Sequence, residues 1–94
     1  MARLTKAAWE LLEQLSKEDE ELTHSSGQWW TERKRWSWRS ARQLLFLCLI
    51  RCEYDSGNYA SGQTYQVYTI TEEGRKLLAD PNYEPEIVKH LRKQ

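Results

Sequence analysis

The chain has 94 residues, a length that suits one domain with a modest core. Lys plus Arg total 14 and Asp plus Glu total 14, so the formal net charge is zero; with 30% charged and 39% hydrophobic residues, the composition excludes a plainly disordered or membrane-embedded polypeptide. Two cysteines exclude a disulfide framework, the N-terminus has no apolar signal core, and the longest apolar run (residues 44–50) falls far short of a bilayer span, so a cytoplasmic, reduced, single domain over residues 1–94 is expected.

Leu4, Ala7, Ala8, Leu11, Leu12 and Leu15 recur at helical spacing and predict an amphipathic helix over residues 6–15. Thr5 suits its N-cap, and Leu4 and Trp9 occupy the two positions of a hydrophobic staple. Residues 16–21, a serine followed by Lys17, Glu18, Asp19, Glu20 and Glu21, favour a helical turn; with only Leu22 to bury, this piece reads as a connector. Residues 25–36 admit two readings. Ser26 can cap a short helix carrying Trp29, Trp30 and Arg33, which is the preferred reading, whereas the alternation Trp30, Glu32, Lys34, Trp36, Trp38 suits a strand.

Ser37 is the next N-cap, opening a helix over residues 38–48 with an apolar stripe of Trp38, Ala41, Leu44, Leu45 and Cys48, and with Arg39, Arg42, Gln43 and Phe46 further out. Residues 49–54 and 64–70 alternate and are rich in β-branched or aromatic side chains; the turn-forming segment 55–63 joins them into a hairpin over about 49–70. Thr71 caps a helix with Glu72 and Glu73 in its first turn, ending near Asp80 and Pro81. Pro85 opens a last helix over residues 85–92, whose Ile87, Val88 and Leu91 form a narrow apolar face suited to covering the core or to pairing with a second copy.

The zero net charge conceals a polarity. Residues 10–21 carry six acids against Lys17, and residues 33–51 carry Arg33, Lys34, Arg35, Arg39, Arg42 and Arg51 with no acid. Either the acidic run faces the basic one, or the basic segment presents a local positive field to a polyanion, since screening leaves only charges within about 8–10 Å effective.

A capped helix with a basic outer face, a Leu-Ile entry into a hairpin, and the run Tyr68-Thr69-Ile70-Thr71-Glu72-Glu73-Gly74-Arg75-Lys76-Leu77-Leu78 together resemble the winged helix-turn-helix domains of bacterial and archaeal transcriptional regulators, the broad group with the MarR-like and PadR-like proteins. The 68–78 run looks like the second wing strand entering the following helix. Residues 44–51 look like the end of the recognition helix, with Cys48 where such domains commonly carry Gly. The resemblance covers residues 37–79 and extends to 5–15 as a first helix; residues 16–36 depart from it, with Trp and Arg in place of regular Ala or Leu. It implies an α+β fold: a small winged helix with a three-helix core, a two-stranded wing hairpin and added C-terminal helices.

The same resemblance implies a DNA-binding transcriptional regulator or structural DNA binder, whose 38–48 helix enters the major groove of duplex DNA and whose 55–63 wing tip follows the backbone. Arg39, Arg42 and Gln43 then address base edges, while Arg33, Lys34, Arg35, Ser37 and the tip residues Asn58, Ser61 and Gln63 hold phosphates. Trp38 joins this surface. Dimerisation through the last helix is a further implication.

Five tryptophans, four of them within residues 29–38, serve either as core or as an exposed surface, because Trp interleaved with Arg suits both base stacking and protein-partner hot spots. A winged-helix protein-interaction module of the kind found among phage or plasmid accessory proteins is therefore the alternative to DNA binding, followed by RNA or single-strand binding through the Trp-Arg segment. Cys48 and Cys52 have only His24 and His90 as further nitrogen donors, at spacings unlike a zinc finger, so buried reduced thiols are expected and no metal. His24 and His90 read as solvated. No P-loop, dinucleotide fingerprint, zinc helix or nucleophile elbow is present, so neither an enzyme nor a cofactor is expected.

Overall fold

Thr5 accepts from the Ala8 amide at 3.2 Å and so caps helix α1 (Lys6–Lys17), while the staple residues Leu4 and Trp9 both pack against the core. These features belong to a computed structural model that describes residues 4–17, 20–32, 34–56 and 64–93. The α1 side chains Ala8, Leu11, Leu12 and Leu15 are fully buried, each leucine contributing about 1.5–3 kcal/mol through removal from water.

After α1 the preferred helix does not form. Leu22–Ser25 is strand β1 and Gln28–Trp30 is strand β2, paired antiparallel through Ser25 and Gln28. The two-residue turn between them is Ser26-Gly27, with φ of 52° and 74°. Two positive φ values are what a tight hairpin demands, and Gly supplies one without steric cost. Strands replace the helix, yet not the single alternating strand from Trp30 to Trp38, because Trp30 and Trp36 lie on opposite sheet faces and Trp38 opens a helix. Leu22, far from sitting in a connector, is fully buried. A short β3 (Arg35–Trp36) adds to β2, with Trp29 opposite Trp36 and Trp30 opposite Arg35.

Helix α2 (Trp38–Phe46) begins at Ser37, whose Oγ accepts from the Ser40 amide at 3.3 Å. It ends in a left-handed residue, Cys48, with φ 59°. The Cys48 amide donates to the Leu45 carbonyl and the Leu49 amide to the Leu44 carbonyl, the double closure of a Schellman end. Cys48 thus occupies the conformation that a glycine would fill more easily. The buried face of α2 is Ser40, Ala41 and Leu44, so Trp38, at the helix start, lies outside the stripe that its spacing suggests.

Strands β4 (Ile50–Asp55) and β5 (Tyr65–Ile70) pair antiparallel, with a bulge between Cys52 and Tyr54. They do not form an isolated two-stranded wing, because β5 also pairs with β1, giving one antiparallel sheet of five strands in the order β3-β2-β1-β5-β4. Thr71 then caps α3 (Glu72–Ala79), accepting from the Gly74 amide and donating to the Cys48 carbonyl at 2.7 Å.

Pro85 precedes α4 (Glu86–Arg92) and provides no side-chain cap; Glu73 of α3 does so instead, accepting from the Glu86 amide at 2.9 Å. Ile87 and Val88 pack against the chain's own core, which leaves Leu91 exposed. The fold is α+β with four helices among the described residues. No helix among them is long and apolar enough to cross a membrane.

Cross-strand neighbours share a face. Leu22, Trp29, Trp36, Tyr68, Ile50 and Ile70 therefore project together, and all six lie in or against the core formed with α1, α2 and α3. Thr23, Trp30, Arg35, Val67 and Tyr54 project to the opposite side, in one row across all five strands.

Candidate nucleic-acid interface

The outer face of α2 carries Trp38, Arg39, Arg42 and Phe46, all exposed, with Trp38 at 52% and Phe46 at 66%. Residues 38, 42 and 46 follow each other at helical i,i+4 spacing and form a line along the helix. The Arg39 and Arg42 guanidinium carbons lie 5.9 and 5.6 Å from the centroid of the Trp38 ring. Cations over an indole face are attracted by its quadrupole, which holds these two otherwise flexible side chains beside one ring. Among the described residues, neither arginine takes part in an ion pair. Lys34 sits nearby in sequence with its Nζ 4.3 Å above the Trp36 ring.

The structure separates other members of the basic segment. Arg35 pairs with Trp30 and so projects from the sheet face away from the helices. Arg51 is neutralised by Glu53, whose Oε1 lies 2.7 Å from its Nη2; this contact and the Thr69 hydroxyl hold the Glu53 carboxyl below its ordinary pKa. The acidic run does not neutralise the basic segment through ion pairs among the described residues. Glu13 pairs instead with Lys17, and Glu20 accepts from Gln14.

Gln43 is half-buried, and its Oε1 accepts from the Thr5 amide at 3.0 Å. It ties α2 to the start of α1, a role that its outward spacing did not reveal. Ser37 is occupied as the helix cap, with its Oγ also 3.1 Å from Ser40 Oγ. Arg33, Asn58, Ser61 and Gln63 lie outside the described residues.

The tryptophans divide between roles. Trp36 is buried and donates from Nε1 to Thr31 Oγ1 at 3.1 Å. Thr31, also buried, accepts from Gln14 Nε2 at 3.3 Å, joining α1 to the strands. Trp29 stacks on His24 at 4.1 Å between ring centroids. His24 is not simply solvated: its Nδ1 lies 2.8 Å from Gln66 Oε1. Cys48 and Cys52 are both exposed, contrary to the expected burial, because one sits at a helix end and the other on an edge strand. Among the described residues, no group of three or more His, Cys, Asp or Glu side chains is placed to share a metal ion.

Comparisons with known proteins return no matching family model, no matching curated protein and no matching solved structure.

Proposed function

We propose that this chain is a winged-helix DNA-binding protein, a small transcriptional regulator that lays the outer face of α2 against duplex DNA. The observation that carries this reading is the Trp38, Arg39, Arg42 cluster, in which two exposed arginines without carboxylate partners among the described residues are held beside one indole. The order of α1, α2, the β4–β5 hairpin and α3 supports it, as does the exposed Phe46, which can meet a thymine methyl.

Arg39 and Arg42 bond guanine edges and Lys34 a phosphate, so the preference falls on G-containing sites. Gln43 can reach adenine with both amide groups only by releasing Thr5. Arg35 faces elsewhere and takes no part. The test is selection from a pool of random duplexes. A G-containing consensus that disappears in Arg39→Ala/Arg42→Ala supports the reading, and recovery of no duplex above background rejects it.

The line of exposed Trp38 and Phe46 flanking Arg42 also has the composition of a protein-partner hot spot, and this favours an interaction module as the second reading. Under it, binding of duplex DNA is absent at low salt and a partner protein depends on Trp38 and Phe46. A homodimer would use the end of α4 that exposes Leu91. Sedimentation over a concentration series reads it.

A further inference from the structure

The sheet face turned away from the helices has an aromatic and cationic composition of which the α2 reading uses only Lys34. Tyr54 and Tyr65 are 50% and 43% exposed, and their ring centroids lie 5.3 Å apart. Farther along the same face, Trp30 and Arg35 are neighbours across β2 and β3. They line an open cleft of about 620 Å³ together with Ser25, Gln28, Glu32 and Lys34. Glu32 is the carboxylate among the cleft's lining residues, set against two cations. On the β4 side Glu53 is already engaged by Arg51 and Thr69.

We propose that this open face binds single-stranded nucleic acid, with bases stacked on Trp30 and on the Tyr54–Tyr65 pair and a phosphate held by Arg35. Bases need flat rings for their faces and donors or acceptors for their edges. The row across the sheet sets Thr23 and Val67 between Trp30 and Tyr54, and the cleft adds Ser25 and Gln28. Aromatic platforms beside cations are the general means of holding single strands without sequence preference.

A second copy of the chain is a poorer occupant. Strand addition at β4 meets a bulge and the charged Arg51, Glu53 and Asp55, features that blunt an edge. Within the Trp-Arg segment Trp36 does not serve as a platform, because that indole is buried.

The test uses the full chain with labelled oligo(dT) and oligo(rU) of about 12 nucleotides at about 50 mM salt, read by fluorescence anisotropy. Tyr54→Ser/Tyr65→Ser is expected to weaken single-strand binding roughly tenfold or more. Arg35→Glu is expected to weaken it as well. The Tyr pair and Arg35 are exposed, so these variants keep the fold even if Trp30→Ala does not. Tighter binding of either oligomer identifies DNA or RNA as the single strand. The proposal is overturned if neither oligomer binds, if binding ignores the Tyr and Arg35 substitutions, or if those substitutions instead abolish self-association or capture of a protein.

Discussion

The Leu49 carbonyl oxygen lies 2.5 Å from where a side chain at Gly74 would begin, with Ile70 Cγ1 2.7 Å from the same point. This approach docks α3 onto the end of α2, where the Leu49 carbonyl also accepts from the Thr71 amide at 2.9 Å. Gly74→Ala gains about 1 kcal/mol of helix propensity but forces backbone apart, at a cost of about 1–3 kcal/mol in overpacking alone. The expected net loss is up to about 2 kcal/mol, seen as a lower urea midpoint at unchanged slope. An unchanged or higher midpoint contradicts the packing described.

Cys48 holds a left-handed conformation at the α2 end, with φ 59°. That conformation costs an L-residue about 1–2 kcal/mol, of which glycine recovers part after its own entropy cost of about 0.5–1 kcal/mol. Cys48→Gly is expected to stabilise by about 0.5–1 kcal/mol, and Cys48→Val to destabilise. Thermal denaturation of both variants decides it, and a lower Tm for the glycine variant excludes the strain assigned to this position.

Periodicity made all four helices and the β4–β5 hairpin legible in the sequence: α1, α2 and α3 bury residues at helical spacing and begin at a Thr or Ser whose side chain accepts from a backbone amide, α4 follows a proline, and the two strands alternate. The β1–β2 hairpin was less legible for a local reason. Ser26 resembles a helix cap, whereas Ser26-Gly27 acts as a turn, and the adjacent Trp29 and Trp30 make sense only on a strand that sends them to opposite faces. Of the candidate site, the outward Arg39 and Arg42 were readable from spacing. The divergence of Arg35 depends on sheet register, and the Gln43 link depends on the distant Thr5, so neither was visible along the chain.

Thr31 connects three parts of the fold through one hydroxyl, accepting from Trp36 Nε1 and Gln14 Nε2. Thr31→Val keeps the shape and strands the Trp36 donor, while Gln14 Nε2 keeps its bond to Glu20. The expected cost is about 2 kcal/mol, since a buried donor without an acceptor costs about 1–3 kcal/mol. Equal stability of wild type and Thr31→Val in urea titration would remove the network from the account.

Glu73 latches α4 to α3, accepting from the Glu86 amide and the Tyr83 hydroxyl. These contacts, the amide first, hold its carboxyl below the ordinary 4.5, so the latch is complete above that pH and is lost as pH falls through the lowered value. The same hydrogen bond pushes the Tyr83 hydroxyl from 10.0 up to about 12, so its contribution is complete below pH 10.0 and is lost as pH rises through about 12. Stability measured against pH should fall at both ends. Glu73→Gln should weaken both falls, and identical profiles for variant and wild type exclude the latch.

Salt dependence of duplex binding tests the role of α2 most directly. Each cation that displaces a counterion contributes about −0.9 to the log–log slope, so Lys34, Arg39 and Arg42 together give about −2.7. Arg39→Ala/Arg42→Ala should reduce this to about −0.9 and lower affinity at every salt concentration. A wild-type slope near zero, or a slope that the double substitution leaves unchanged, contradicts the assignment of duplex DNA to the face of Trp38, Arg39 and Arg42.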